Sequence, residues 1–196
     1  MHQATRSHSR RSFFFGGILP AALTLAMMSS VAFAHPKGKM GPTSAPAPRD
    51  TIAPDTQFHV GERLVDLKTY AGHKLMVWQV TTWCPSCRAG LATFADHQSL
   101  IDQSDVRVIV LRDYKNGGYP GVGIRKFAEE VAPKLLHDPH FVFGEDTKTL
   151  FDSYNPHHYV DVYQLITPDR HIAAASSTPS VTFDKIEAFI KSKPAS

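Results

Sequence analysis

Two continuous runs of apolar and β-branched residues lie in the middle of the chain. They cover residues 74–82 and 106–111, and few polar residues interrupt them. A strand that is buried on both faces has no polar side and therefore shows this unbroken pattern. The two runs predict two fully buried strands, and a third, shorter strand is expected at Phe141-Val142-Phe143.

Other parts of the chain follow the spacing of helices. Apolar residues recur at three- and four-residue intervals between Leu91 and Ile101, which places them on one face of a helix. This pattern predicts one helix from Cys84 to about Gln103. Similar patterns predict helices at residues 124–131, 147–154 and 181–192.

The C-terminal third changes from this alternation to a hairpin and a closing helix. Residues 160–166 and 171–176 are predicted strands, joined by the turn Thr167-Pro168-Asp169-Arg170, which has proline at its second position. The closing helix is amphipathic, and its pattern directs Val181 and three later apolar residues toward the core. Strands that alternate with helices and then form a hairpin predict an α/β sandwich, with a central mixed β-sheet flanked by helices.

The first 34 residues have the pattern of an export signal. Arg10-Arg11 belongs to a twin-arginine pattern, residues 13–34 form an apolar stretch without acids, and Ala32-Phe33-Ala34 is a cleavage site of small residues. Together they predict a twin-arginine signal peptide at residues 1–34, cleaved before His35. An uncleaved membrane anchor is the alternative, because the stretch approaches spanning length.

A linker is predicted after the signal. Residues 35–55 are rich in Pro, Ala, Gly and Lys and show no apolar periodicity, so they cannot bury enough surface to offset the entropy of ordering. Residues 56–193 are long enough for one domain with its own core.

The net charge of +3 comes from the predicted signal. The chain has 21 Lys and Arg residues, and the signal contains Arg6, Arg10 and Arg11, which leaves 18 basic against 18 acidic residues. A domain that binds nucleic acid usually presents a basic stripe. The balanced composition does not support one, so nucleic acid is not expected as a partner.

The chemistry of the chain is concentrated in Trp83-Cys84-Pro85-Ser86-Cys87, between a predicted strand and a predicted helix. The segment contains the only two cysteines, with two residues between them. Cysteines at this spacing form a redox pair, an inert disulfide or part of a metal site. A disulfide over so short a span constrains the unfolded chain little, and no second cysteine pair or paired-histidine spacing accompanies this one. The pattern therefore favours a redox pair.

The segment from Thr82 to Cys87 resembles the active site of thioredoxin-like proteins. Residues 165–172 are similar to the strand–turn–strand of exported, redoxin-like thiol–disulfide oxidoreductases of the TlpA and ResA type. The resemblance covers residues 56–193. It implies a thioredoxin-like fold and a periplasmic oxidoreductase that needs no cofactor.

The resemblance also implies roles for single residues. Cys84, at the N-terminus of a helix, would be the exposed nucleophile, with its pKa lowered by unpaired amides and the helix dipole. Cys87, one turn later, would be more buried and would resolve the mixed disulfide, so that the two residues form the catalytic disulfide. Pro85 would fix φ in the first turn, and Trp83 would form an apolar wall beside the sulfurs.

The chain departs from this family at positions that tune the thiols. Asp161 replaces the family's cis-proline, Trp78 replaces the buried acid of thioredoxin, and Gly90 and Ala92 replace a Glu and a Pro found in many exported relatives. Asp161 is expected to act as the general base if it lies beside Cys87, and its charge would raise the thiol pKa values. The alternative for Asp161 is a solvent-facing acid at the end of a strand.

Two other functions are compatible with the sequence. Copper chaperones of the Sco type are also thioredoxin-like and bind metal through two cysteines and a histidine, which makes Cys84, Cys87 and His158 an alternative metal site. Residues 81–84 contain the Thr-x-x-Cys of peroxiredoxins, although Val77 stands where that motif has proline.

The favoured partners are protein or small-molecule thiols and disulfides, with a membrane or periplasmic redox protein supplying or accepting electrons. Reduction of the substrate is the favoured direction.

Overall fold

The computed structural model describes residues 51–193. These residues form seven strands, five α-helices and three short 3-10 segments. The strands are β1 (Gln57–Val60), β2 (Arg63–Asp66), β3 (Lys74–Val80), β4 (Val106–Arg112), β5 (Phe141–Asp146), β6 (Val162–Ile166) and β7 (Ile172–Ser177). The helices are α1 (Pro85–Asp96), α2 (Gln98–Asp102), α3 (Ile124–Val131), α4 (Lys148–Tyr154) and α5 (Phe183–Lys191). The 3-10 segments are Leu67–Tyr70, Tyr114–Gly118 and Pro133–His137.

All seven strands belong to one mixed sheet in the order β2-β1-β5-β4-β3-β6-β7. The central strands β5, β4 and β3 are parallel to one another. The neighbours on both sides, β1 and β6, run antiparallel to them. The predicted α/β architecture with a central mixed sheet is therefore confirmed.

The sheet is buried on both faces, which explains the unbroken apolar run of β3. Met76, Trp78 and Val80 pack with helices α1, α3 and α5 on one face. Val77 packs on the other face with apolar side chains of α4, including Leu150. Every residue of β3 is buried, so the strand lacks the polar alternation of a half-exposed strand.

The cysteine segment and Asp161 lie at the same edge of the sheet, where the parallel strands end. Parallel strands β3, β4 and β5 end at the same edge, and the turn into α1 begins there. Strand β6 is antiparallel to β3, with Val162 paired to Gln79. This register brings Asp161, the residue before β6, to the carboxyl end of β3.

The long first helix that the sequence predicted is two helices. The backbone leaves the helical region at His97 (φ −103°, ψ 20°), which separates α1 from α2. The ring Nδ1 of His97 lies 2.9 Å from the carbonyl oxygen of Thr93, and the ring packs on Phe183 at 4.2 Å between centroids. Because the apolar spacing continues on both sides of the break, the pattern alone does not reveal it.

The closing helix begins later than the pattern predicted. Thr182 is its N-cap residue, and its hydroxyl lies within hydrogen-bonding distance of the carbonyl oxygens of Ser177 and Thr178. Val181 therefore precedes the helix and is 73% exposed rather than inward-facing, while Phe183 enters the core.

Strands β1 and β2 were not anticipated. Each has only four residues, and in β1 only Phe58 is fully buried.

The folded domain starts earlier than residue 56. Ile52 forms a β-bridge with His171, and the Ala53 amide donates to the Arg170 carbonyl at 2.8 Å. Asp55 forms an ion pair with Arg170. Residues 51–55 of the predicted linker therefore belong to the domain, because they form backbone hydrogen bonds and an ion pair with the turn between β6 and β7.

The predicted signal peptide at residues 1–34 and residues 35–50 of the predicted linker lie outside the described residues. Within residues 51–193, no helix combines the length and apolar character needed to cross a bilayer.

Candidate active site

Cys84 is the N-cap residue of α1. Its backbone is extended (φ −81°, ψ 122°), and its Sγ accepts a hydrogen bond from the Cys87 amide at 3.3 Å. The Ser86 hydroxyl lies 3.0 Å from the same sulfur. The hydrogen bond from the Cys87 thiol is the largest of the effects that lower the pKa of Cys84 to about 6, although burial acts in the opposite direction. Cys84 is thus a thiolate at neutral pH, held at a helix N-terminus.

Cys87 lies one turn later and is completely buried. Burial raises the pKa of its thiol far above the usual range, and the Cys84 side chain and the Asp161 charge add to this effect. Both cysteines are free thiols and both are buried. Cys84 is only 6% exposed, so the prediction of an exposed first sulfur is wrong, although Cys87 is the more buried of the two. The pair is therefore asymmetric, because the pKa of the first thiol is lowered and that of the second is raised.

Trp83 and Pro85 flank the first cysteine. The indole of Trp83 is 42% exposed, donates from Nε1 to the Asn116 carbonyl at 2.9 Å, and meets the ring of Tyr119 edge-on at 5.2 Å. Pro85 is the first residue of α1, where its missing N–H costs nothing. Pro85 thus stands in the first turn of α1, as the sequence predicted. The role of Trp83 as an apolar wall beside the sulfurs stays a prediction, because the contacts of its indole are with Asn116 and Tyr119.

Asp161 lies against both cysteines. One carboxylate oxygen and the two sulfurs are all within 4.8 Å of one another. The residue is only 2% exposed, and burial raises the pKa of its carboxyl. The structure therefore shows a buried acid beside the thiols, not a solvent-facing one. Its backbone is left-handed (φ 62°), a conformation that Asp tolerates better than most residues.

Trp78 connects Asp161 to the core. Its Nε1 donates to Asp161 Oδ1 at 2.8 Å, and its side chain is fully buried. Gly90 in α1 leaves room for the indole, since a Cβ at that position would lie 2.8 Å from two ring atoms. The three residues that differ from the thioredoxin-like pattern are therefore in contact: Trp78 bonds to Asp161 and occupies the space beside Gly90.

Two buried carboxyls near this edge were missed by the sequence analysis. Asp113 follows β4 and Asp146 ends β5. The carboxylate of Asp146 accepts from Gln79 Nε2 at 2.7 Å. Burial raises the pKa of each carboxyl to about 8, and for Asp113 the charges of Asp146, Cys84 and Asp161 contribute further. The available signal was an acid within three residues of the last apolar residue of each strand, which is Leu111 before Asp113 and Phe143 before Asp146.

A left-handed loop holds Trp83 in position. Residues 115–118 all have positive φ, including the non-glycine residues Lys115 and Asn116. The side-chain oxygen of Asn116 accepts from the Thr82 amide at 2.9 Å, and the residue is buried. The glycine-rich sequence from Asn116 to Gly121 predicts a loop, but it does not reveal this hydrogen bond.

His158 is not brought to the sulfurs. Its imidazole, 63% exposed, lies 3.8 Å from Asp152 and stacks on Phe151. Among residues 51–193, the group of possible metal ligands around the sulfurs consists of Cys84, Cys87 and Asp161, without a histidine.

Comparison with known proteins identifies the fold. No protein-family model matches the chain, and no curated protein matches it in sequence. A thioredoxin-like protein from Aeropyrum pernix is 19% identical, with a TM-score of 0.56 over 71% of this chain and 89% of that one. A thiol:disulfide interchange protein of the thioredoxin family from Chlorobium tepidum is 14% identical, with a TM-score of 0.51 over 74% and 98% of the two chains. A yeast mitochondrial 1-Cys peroxiredoxin is 15% identical, with a TM-score of 0.53 over 74% and 75%.

At these identities the likeness shows the fold. The chain has the thioredoxin-like fold that its cysteine segment predicted.

Proposed function

We propose that this thioredoxin-like chain is an exported thiol–disulfide oxidoreductase that acts through Cys84 and Cys87. One observation carries the proposal: a hydrogen-bonded Cys84 sulfur at the N-terminus of α1, with the buried Cys87 thiol behind it and Asp161 beside both. The Cys84 thiol, with its pKa lowered to about 6, ionises readily, whereas the buried Cys87 thiol keeps its proton until its own step. The names of the thioredoxin-family neighbours are consistent with this chemistry.

In the reducing direction, the Cys84 thiolate attacks one sulfur of a substrate disulfide. A mixed disulfide forms, and the first substrate sulfur leaves as a thiolate and takes a proton from solvent. The Cys87 thiol then loses its proton and attacks Cys84 Sγ, which releases the second substrate sulfur. The dithiol gives two electrons to the substrate and becomes the Cys84–Cys87 disulfide, so the chain needs no cofactor for this reaction.

Asp161 is the proposed proton acceptor for Cys87. A buried thiol does not ionise unaided, and a base is effective when its pKa lies close to the working pH. Burial moves the pKa of Asp161 in that direction, and the Trp78 hydrogen bond fixes the carboxylate. Asp161 would thus replace the acid that thioredoxin has at the position of Trp78.

Export places this chemistry outside the cytoplasm. The twin-arginine pattern and the apolar stretch at residues 1–34 support delivery to the periplasm, where disulfides form and persist. A periplasmic or membrane redox protein is the proposed electron partner, and protein or small-molecule disulfides are the substrates. Replacing Arg10 and Arg11 by Lys in a fusion of residues 1–34 to a reporter should block export. Unchanged export would contradict the twin-arginine route.

Copper binding through Cys84, Cys87 and His158 is less well supported, because the exposed His158 pairs with Asp152 instead. Peroxide reduction also has weaker support, since nothing in the geometry around Thr81 favours a peroxide over a disulfide.

The function is tested with cysteine variants in insulin-disulfide reduction. Cys84→Ser removes the nucleophile, so we expect activity to fall by at least about 100-fold, to the background of the thiol-free double variant. Cys87→Ser leaves the attacking sulfur but no resolving one, so it should accumulate mixed disulfides that gel electrophoresis detects. Full activity in both single variants would contradict the proposal.

A further inference from the structure

Three buried ligand atoms meet at the carboxyl end of β3. They are the sulfurs of Cys84 and Cys87 and a carboxylate oxygen of Asp161, all within 4.8 Å of one another. We propose that the dithiol form of this protein binds one Zn²⁺ ion through Cys84, Cys87 and Asp161. The fourth position of the tetrahedron would hold water or an external ligand, as in zinc sites that have three protein ligands.

The carboxylate of Asp161 distinguishes this site from an ordinary pair of thiols. Its Oδ1 accepts a hydrogen bond from Trp78 Nε1. Its Oδ2 is buried, and among residues 51–193 no donor meets it at full hydrogen-bond geometry, although the side chains of Ser86 and Thr178 are close enough to lower the pKa of the carboxyl. A buried oxygen without a donor is costly, and a cation would satisfy it. Metal-binding carboxylates are commonly oriented by a second hydrogen bond, and the Trp78 indole donates one here.

The ligand set selects the metal. Two thiolates and one carboxylate suit the borderline character of Zn²⁺, whereas Cu⁺ prefers a wholly soft set of ligands. Tetrahedral Zn²⁺ with Zn–S bonds of about 2.3 Å needs the sulfurs roughly 3.8 Å apart. Atoms that already lie within 4.8 Å reach this geometry through an adjustment of at most about 1 Å.

Binding is coupled to the redox state. At neutral pH it forms two Zn–S bonds and one Zn–O bond and releases the Cys87 proton to solvent, because Cys84 is already ionised; no electrons are transferred. In the Cys84–Cys87 disulfide no thiolate is available, so the oxidised chain lacks two of the three ligands. The site shares its sulfurs with the proposed oxidoreductase reaction but does not depend on that activity.

Zinc titration of the purified protein against a chromophoric zinc indicator tests the proposal. We expect one Zn²⁺ per reduced chain and an affinity at least about 100-fold weaker in the oxidised chain. Asp161→Asn keeps the size of the side chain but removes its charge, and should weaken binding by about 10- to 100-fold. Asp96→Asn is the matched control, because it removes an exposed carboxylate on α1 that belongs to neither group of possible metal ligands. It should leave this affinity unchanged.

Co²⁺ substitution in the unaltered protein gives a readout that does not depend on how the variants fold. Thiolate-to-cobalt charge-transfer bands and tetrahedral d–d bands should appear in the reduced protein and disappear on oxidation.

Four outcomes would overturn the proposal. They are absence of stoichiometric Zn²⁺ uptake, equal uptake in the oxidised protein, a Co²⁺ spectrum without thiolate bands, and an unchanged zinc affinity in folded Asp161→Asn. Zinc binding without insulin reduction would contradict only the proposed oxidoreductase function. Insulin reduction without zinc binding would contradict only the proposed zinc site.

Discussion

The pKa of the Cys84 thiol is set by a few neighbouring groups. The Cys87 thiol makes the largest contribution to its lowered pKa, and the Ser86 hydroxyl and the Cys87 amide add to it. Burial and the negative charge of Asp161 oppose them. The two-residue spacing placed Cys87 within reach of Cys84, but the contribution of Asp161 depends on a strand pairing that lies far away in sequence.

The pH dependence of alkylation measures this balance. In metal-free buffer, the rate at which iodoacetamide modifies Cys84 follows the thiolate fraction, so it should be half-maximal near pH 6, where the pKa lies. Ser86→Ala removes a stabilising hydrogen bond and should move the midpoint upward. Asp161→Asn removes a repelling charge and should move it downward. A single midpoint near that of free cysteine, unaffected by either change, would contradict the assignment.

Helix α1 and strand β3 fit together through Gly90 and Trp78. The indole fills the space that a larger side chain at residue 90 would need, and its hydrogen bond to Asp161 prevents it from moving away. The sequence showed each departure from the thioredoxin pattern separately. Their connection was hidden, because residue 161 reaches residue 78 only through the antiparallel pairing of β6 with β3.

Gly90→Ala tests this fit. Alanine favours a helix by about 1 kcal/mol over glycine, but its Cβ would lie 2.8 Å from the buried indole. Overpacking of this kind costs about 1–3 kcal/mol, so we expect a net loss of stability in urea unfolding. In a Trp78→Phe background the same change should be neutral or stabilising. Equal effects in both backgrounds would show that the two residues are not coupled.

At the scale of the whole molecule, folding buries two carboxyls that prefer to stay protonated. Asp113 and Asp146 have pKa values of about 8 in the folded protein, against about 3.9 for Asp in an unfolded chain. Between these values the folded state binds more protons than the unfolded state. The contribution of these two carboxyls to stability is therefore fully present below about pH 4, falls as the pH rises, and is lost above about pH 8. Cys84, whose pKa is lowered to about 6 in the folded protein, opposes part of this fall between about pH 6 and pH 8.5.

Unfolding free energies measured in urea from pH 5 to pH 8 test this linkage. Each carboxyl should contribute a slope of about −1.4 kcal/mol per pH unit. Asp113→Asn should remove roughly one such contribution, whereas replacing the exposed Asp96 on α1 by Asn should leave the slope unchanged. A stability that rises over this range, or a slope that Asp113→Asn does not alter, would contradict the burial of a protonated acid.

The sequence by itself determined the fold class, because buried strands, helices and a C-terminal hairpin have local apolar patterns. It also placed Cys84 and Cys87 at a strand–helix junction, since their relation depends on only a few neighbouring residues. Tertiary structure alone decided the surroundings of the sulfurs. Asp161 reaches them through strand pairing, Trp78 and Gly90 fit across a helix–sheet interface, and Asp113 and Asp146 become buried where parallel strands end. These relations join residues far apart in the chain, and no local periodicity records them.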